Sequence, residues 1–423
     1  MIQIRDKVKC TGCYACENIC PKSCITMKMD KEGFYYPEVD TEKCVNCDLC
    51  VHTCPVIAKE SAGDSEKNAD EAASTGTGAN KKRAYLVQNK DAKVLKESTS
   101  GGAFTPMAEK ILSDGGVVYG VVMNKDYLVK HVRISDPKSL RLFRNSKYVQ
   151  SNLSGIYKQV AEDLKAGRKV VFSGTPCQIE ALICFLKDVP DNLILVDVVC
   201  RAVPSPGVWK DYIEDVVSKK GHVSGIRFRD KTLGYQYSTM EIKTSSGEVD
   251  RGGIESQLWL RMFFSGMIIR PSCTDCKFRD YHRRSDITIW DCFNVHKLAP
   301  EMNENVGTTR MIIHTEKGQK LYDDISDNFI SKEISVETAV EGVKEIVESP
   351  QFNPRRDEFF RDYSQMKERE ERTGNKDVKS CDMDNLYVKY FPYTFKVRLK
   401  RRGRLILNRM GLDIKVKHLL KKG

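Results

Sequence analysis

CTGCYACENICP, residues 10–21, spaces four cysteines two, two and three residues apart and closes on a proline. CVNCDLCVHTCP, residues 44–55, repeats the arrangement, so that Cys10, Cys13, Cys16 and Cys20 recur as Cys44, Cys47, Cys50 and Cys54. Thiols this close in sequence can surround one centre from a single tight loop, and the doubled run marks one local structure used twice.

The spacing Cys-x2-Cys-x2-Cys-x3-Cys-Pro resembles the bacterial ferredoxin run for cubane [4Fe–4S] clusters, in which the fourth cysteine of each run ligates the other run's cluster. On that pattern one cluster takes Cys10, Cys13, Cys16 and Cys54, and the other takes Cys44, Cys47, Cys50 and Cys20. A disulfide framework calls for an oxidising compartment, and no signal peptide is read ahead of the cysteines. Tetrahedral zinc does not require a doubled run of four ending in proline. Cys24 lies outside the pattern and reads as a small buried hydrophobe.

With 423 residues the chain has room for two or three domains and a substantial core. Its strongest apolar runs, NLILVDVV and GGVVYGVVM, have the length of strands and not of membrane spans. A soluble cytoplasmic protein is the expectation, and metal binding explains 16 cysteines better than disulfides do. Nearly all of the formal +11 charge sits in residues 394–423, where Lys396, Arg398, Lys400, Arg401, Arg402, Arg404, Arg409, Lys415, Lys417, Lys421 and Lys422 face one acid, Asp413. The rest is close to neutral, so no nucleic-acid partner is expected. Leu399, Ile406, Met410, Leu412 and Leu419 interleave with those cations. That pattern predicts a basic amphipathic tail suited to peripheral contact with the inner membrane face or to an acidic partner.

Residues 58–82 are small, polar and charged, and read as a flexible linker. They separate an α+β ferredoxin-like N-terminal domain, residues 1–57, from a larger α/β domain with a central sheet, residues 83–355; residues 356–423 form a C-terminal extension with the basic tail. In the body AYLVQN, GGVVYGVVM, RKVVFSG and NLILVDVVC read as strands. A helix running from STSGGAF through Leu112 and the stretches SNLSGIYKQVAEDLKAG (151–167), TPCQIEALICFLKD (175–188) and VPSPGVWKDYIEDVVSKK (203–220) alternate with them as helices. No G-x-G-x-x-G and no P-loop occurs, which argues against a Rossmann nicotinamide site or a P-loop ATPase. Two strand-to-helix loops, STSGGAF (98–104) and FSGTPCQ (172–178), have the small residues that let backbone approach an anionic ligand. Cys177, Cys200, Cys273 and Cys276 could close a further four-thiolate site, with Cys292 able to replace any of them; spacing alone does not separate iron–sulfur from zinc there.

The succession of the cysteine repeat, Ser100-Gly101-Gly102, SKYVQS, GTPCQ, VDVVC, FRDKTLGY, RPSCTDC and SDIT, over roughly residues 5–320, resembles the family of coenzyme F420 hydrogenase/dehydrogenase beta subunits. The resemblance implies an iron–sulfur flavoprotein oxidoreductase holding FAD beside a [4Fe–4S] cluster, in addition to the two N-terminal clusters. Such a protein passes electrons through FAD between ferredoxin-type clusters and a two-electron substrate such as coenzyme F420 or one from a polysaccharide pathway. Its partner is an electron-donor or acceptor protein or coenzyme. The residues assigned to FAD are Ser100, Gly101, Gly102, Gly174, Thr175, Pro176 and Gln178 for the phosphates, with Lys147, Tyr148 and Gln150 supplying charge, stacking or hydrogen bonds. Two departures stand out: Cys200-Arg201-Ala202 where the family commonly has Cys-His-Gly, and Trp290-Asp291-Cys292 where it commonly has Gly-Asp. The alternative is a non-enzymatic electron relay serving a partner reductase.

Overall fold

The computed structural model describes residues 1–62, 82–281, 283–374 and 376–410. Most of the linker read at 58–82, residues 411–423 of the tail and the Cys381 side chain lie outside the described residues. In the N-terminal region β1 (Ile25–Met29) and β2 (Tyr35–Val39) pair antiparallel, with Ile25 opposite Val39. Each cysteine run winds into a short helix, Ala15–Ile19 and Leu49–His52, and the helix Pro55–Ala62 follows the second.

The body opens with β3 (Arg83–Asn89), β4 (Val117–Met123), β5 (Val129–Ile134), β6 (Val170–Gly174) and β7 (Leu193–Val198). It continues with β8 (Val223–Asp230), β9 (Thr239–Thr244), β10 (Val249–Gly252), β11 (Ile287–Asp291), β12 (Thr309–Ile313) and β13 (Phe329–Ile334). Eight strands form one mixed sheet in the order β13-β3-β12-β11-β7-β6-β4-β5. β4, β6, β7 and β11 run parallel, and β12 lies antiparallel between β11 and β3. β3 therefore points the same way as the parallel strands. Leu193, Leu195 and Val196 of β7 and Val170, Val171 and Phe172 of β6 are buried, which is why both strands read as continuous apolar runs. Ligands bind open α/β sheets outside the carboxyl ends of the parallel strands, and here Asn89, Gly174, Val198 and Asp291 close strands at that edge.

A second antiparallel sheet, β10-β9-β8, escaped the sequence reading. Its strands carry Arg227, Arg229, Glu241 and Lys243, and the β8–β9 register shifts twice, so no clean apolar alternation marks it. Against it packs a core of Trp209, Tyr212 and Trp259. The helices Arg356–Thr373 and Lys376–Tyr390 insert Phe359, Tyr363, Met383 and Leu386 into the same core.

The N-terminal region is seated on this body. Gly207 N donates to Gly33 O at 3.0 Å, Ser205 Oγ to Glu32 O at 2.7 Å, and Asn18 Nδ2 to Leu153 O at 3.1 Å. Phe34 at the hairpin turn is fully buried in the Trp209 core. The closest approach is between two glycines: a Cβ on Gly207 would lie 2.6 Å from Gly33 Cα. Gly207→Ala is expected to cost about 1–3 kcal/mol of unfolding free energy, as overpacking does. Gly225→Ala, where a Cβ meets nothing within 4 Å, serves as the control. Equal denaturant midpoints for the two variants would show that the glycine contact contributes nothing.

Candidate functional site

The two cysteine runs share one backbone device. Gly12 (φ +63) and Tyr14 (φ 67) in the first, and Asn46 (φ 53) and Asp48 (φ 55) in the second, take the left-handed conformation at equivalent positions. Two such turns within three residues curl each loop tightly enough to aim its thiols at one interior point.

Cys10, Cys13, Cys16 and Cys54 form the first group. Burial pushes the Cys13 thiol up to about 12, and Cys54 and Cys10 beside it push the same way. Burial also raises Cys16, with Cys13, Cys10 and Cys54 adding to the effect. The cysteine that joins the first loop is thus the last of the second run. Cys20, Cys44, Cys47 and Cys50 line one small pocket together with Cys24. Cys24 is buried, as expected of a small hydrophobe, but its Sγ lies 3.3 Å from Cys20 Sγ, so it belongs to the wall of this second group.

The third group assembles in the body. Cys177 sits in the first turn of the helix Pro176–Leu186 after β6, Cys200 two residues beyond β7, Cys273 on the turn Pro271–Cys273 and Cys276 just after it. Thr175 and Gln178 close a capping box at the start of that helix, with Pro176 at its first position, and so fix where Cys177 points. Burial raises Cys177, and Cys276, Cys200 and Cys273 all contribute. Burial carries Cys200 to about 12 and Cys273 to about 11. Cys292, an open alternative in the sequence, lies elsewhere, buried among Leu86, Val295, Ala299 and Met302. Cys184 is half-buried. Its carbonyl accepts from Thr53 Oγ1 at 3.2 Å, at the contact with the second cysteine run.

In the first and third groups burial opposes ionisation of Cys13, Cys16, Cys54, Cys177, Cys200 and Cys273, an arrangement that becomes favourable when a cation-rich centre takes up the thiolate charge. Among the described residues no three His, Cys, Asp or Glu side chains converge tightly enough to share a single metal ion. A zinc centre needs its sulfurs about 2.3 Å from one point, whereas a cubane spreads its thiolates around a four-iron cube. The donor sets fit clusters.

The residues assigned to FAD separate. Ser100 Oγ donates to Thr308 O at 2.5 Å and Gly101 N to Thr309 Oγ1 at 2.8 Å. A Cβ on Gly101 would lie 2.2 Å from Val87 O, so this glycine serves the packing of the loop on β3 and β12. Gly102 O accepts from Asn89 Nδ2. Thr175 N donates to Gln178 Oε1, and Gln178 Nε2 to Ser151 Oγ; Pro176 lines a small pocket with Asp197, Arg283 and Arg284. Gln150 Nε2 donates to Thr11 O at 3.0 Å and Gly12 O at 3.2 Å, and so serves the first cysteine loop. Lys147 Nζ donates to Leu142 O and Arg144 O, and burial pulls its ammonium down to about 7. Tyr148 OH accepts from Arg229 Nη1 at 3.0 Å.

That arginine opens a constellation that the sequence marked only in pieces, in FRDKTLGY, at Tyr148 and at Asp291. Arg229 is buried and pairs with Asp291 at 2.9 Å at the carboxyl end of β11. Its guanidinium lies 5.2 Å from the Phe293 ring, and Phe293 stacks on Tyr235 at 5.0 Å with 12° between planes. Phe293 is 46 % exposed, so one face of this stack meets solvent. Lys231 Nζ donates to Leu95 O, Ser100 O and Val306 O, and burial pulls it down to about 7. The buried Arg229, the part-buried Lys231 and an open aromatic face make a platform on which a planar, anionic group could stack.

Residues 9–58 match the 4Fe-4S dicluster domain, and residues 167–338 match the family described as the C terminus of the coenzyme F420 hydrogenase/dehydrogenase beta subunit. An NADH-quinone oxidoreductase subunit (I 2) of Geobacter metallireducens is 40% identical over 65 residues, covering 14% of this chain and 50% of that protein. The F subunit of F(420)H(2) dehydrogenase from Methanosarcina mazei is 20% identical over 196 residues, covering 44% of this chain and 51% of that protein. The chain thus spans about half the length of each. A chain of the F420-reducing [NiFe] hydrogenase complex from Methanosarcina barkeri is 18% identical with a TM-score of 0.41, over 68% of this chain and 91% of that one. Residues 167–338 thus carry a domain like the C terminus of the coenzyme F420 hydrogenase/dehydrogenase beta subunit, and residues 9–58 a 4Fe-4S dicluster domain.

Proposed function

We propose that this chain is an iron–sulfur oxidoreductase that carries single electrons between a partner protein and a flavin, through three [4Fe–4S] centres. The centres are held by Cys44, Cys47, Cys50 and Cys20, by Cys10, Cys13, Cys16 and Cys54, and by Cys177, Cys200, Cys273 and Cys276. The observation that carries this reading is the placement of Cys177 and Cys200 just beyond the carboxyl ends of β6 and β7 and of Cys273 and Cys276 just after Arg270, whose guanidinium reaches Cys10 Sγ of the docked N-terminal loop. The partner meets the second loop, where Val45, Cys47 and Leu49 are exposed.

FAD is assigned to the platform of Tyr235 and Phe293, with Arg229 and Lys231 supplying positive charge. A bound flavin supplies the exchange between one-electron clusters and a two-electron substrate. Within the chain, Asp291 holds the Arg229 guanidinium in place, and Lys231 ties the loop after Leu95 to the segment at Val306. The substrate class follows the family: a deazaflavin such as coenzyme F420, or a redox substrate from a polysaccharide pathway. A relay without flavin is the alternative.

A peripheral membrane contact rests on a separate observation. No helix of the described residues is long and apolar enough to cross a membrane. The helix Phe395–Arg409 instead lies on the body, with Arg404 pairing with Glu255 at 2.8 Å and Asn408 Nδ2 donating to Leu233 O at 2.9 Å. At about 3.6 residues per turn, Phe395, Leu399, Ile406 and Met410 form one outward stripe, and all four are exposed. Lys396, Arg398 and Arg402 flank it, as on helices that lie in an anionic interface.

Anaerobically reconstituted protein is expected to hold about twelve irons, at four per cubane. Cys177→Ser combined with Cys276→Ser is expected to leave about eight; unchanged iron in the double variant removes the body centre. FAD titrated into the wild type should bind, and Phe293→Ala should weaken binding about tenfold, the loss of one aromatic stack at ~1.4 kcal/mol. Full cluster loading without FAD binding favours the relay. Full-length protein should sediment with anionic vesicles at low salt, whereas a form ending before Thr394 should stay in solution; equal sedimentation sinks the membrane contact.

A further inference from the structure

One cation with no exposed surface, Arg270, lies between the first N-terminal thiol group and the group in the body. Its Nε donates to Cys10 O at 2.8 Å and its Nη1 to Gln150 Oε1 at 3.0 Å. Its Nη2 donates to Tyr35 O at 3.0 Å and reaches Cys10 Sγ at 3.5 Å. On the other side its backbone carbonyl accepts from Cys273 N at 3.0 Å. A single residue thus holds a sulfur of the first group with its side chain and a cysteine of the third with its backbone. Tyr157 marks the same proximity, since its phenol senses Cys13 of the first group and Cys177 of the third.

The pocket is built around the guanidinium. The Tyr36 ring lies 4.3 Å away and the Phe34 ring 5.5 Å, closing it off from water. The cysteine loop passes so near that a Cβ on Gly12 would lie 2.7 Å from Arg270 Cζ and 2.6 Å from Gln150 Nε2. At the matching place the second run carries Asn46, which is exposed. The cation therefore serves one copy of the repeat and not the other.

A clamp alone would need only the carbonyl acceptors. The bond to sulfur does more, because hydrogen bonds and positive charge at cluster sulfurs favour the reduced, more negative state, and they act strongly where water is excluded.

We propose that Arg270 is a positioning residue that raises the reduction potential of the centre on Cys10, Cys13, Cys16 and Cys54 above that of its repeat copy, making it the step through which electrons cross between the surface centre and the body. The inference rests on the cluster reading given under Proposed function. In each transfer one centre loses one electron and the next gains it, with no bond made or broken and no proton moved. The electrons come from a low-potential one-electron donor protein, for which dithionite stands in during the test.

The test is an anaerobic redox titration of the full-length, reconstituted protein followed by electron paramagnetic resonance, with iron measured on the same samples. Arg270→Gln is expected to lower the midpoint of one cluster, changing its reduced-to-oxidised ratio about tenfold at fixed poise, or about 59 mV for a one-electron couple. The other two midpoints should stay in place, and Arg270→Lys should recover most of the shift. About twelve irons with three unmoved midpoints overturns the arginine's role and leaves the clusters standing. Wild-type iron near eight removes the body centre, and with it the crossing that Arg270 is proposed to serve. If Arg270→Gln fails to retain iron, Gln150→Leu is the second variant; it frees Nη1 and should move the same midpoint the same way, and a fixed midpoint there overturns the proposal.

Discussion

Burying a guanidinium costs several kcal/mol unless acceptors meet its N–H groups, and apart from Gln150 Oε1 the side-chain acceptors of Arg270 belong to the N-terminal region. Cys10 O, Cys10 Sγ and Tyr35 O become available only when the first cysteine loop and the hairpin are seated on the body. Arg356 repeats the arrangement nearby: it is 5 % exposed and grips Glu32 in the hairpin turn through both Nη atoms. Two body arginines therefore carry a desolvation cost that docking offsets, and docking sets where the thiol groups stand relative to one another. The linker composition, taken alone, described a tether between independent parts. The shared core of Phe34 with Trp209 describes a joint.

What the sequence disclosed follows from how local the determinants are. The cysteine runs were legible because ligand spacing within a single loop is written in consecutive residues. The buried strands were legible because a parallel sheet covered on both faces leaves unbroken apolar runs. The third thiol group was legible as a set of four, but whether Cys292 stood in for any of them needed the tertiary structure. The fold resolves it: Cys276 hangs from the turn that also carries Arg270, while Cys292 follows β11 into an apolar pocket against Leu86.

Glycine loops are ambiguous in a sequence for a physical reason. A glycine that lets a ligand approach and a glycine that lets another strand approach look identical in sequence. Gly101 is of the second kind, pressed against Val87 O. Conversely, Arg229, Lys231 and Arg270 drew no notice as individual side chains because arginine and lysine are ordinarily surface residues. Only the ion pair with Asp291, the three carbonyls around Lys231 and the sulfur contact of Arg270 reveal them as interior groups.

The two copies of the repeat show how one local structure is given two tasks. They agree in cysteine spacing and in their left-handed residues, yet their surroundings differ at each matching position. Gly12, Tyr14 and Ala15 of the first copy are buried, whereas Asn46, Asp48 and Leu49 of the second are exposed. Tyr14 and Ala15 join the core that holds Tyr157 and Phe172, so the first loop is part of the body's interior. The second loop keeps its backbone toward solvent, with the exposed Cys47 at its apex. A centre must be near the surface to exchange electrons with another protein, and near the interior to exchange them with a buried site. The substitution of Gly, Tyr and Ala by Asn, Asp and Leu at constant spacing separates those two requirements along a single chain.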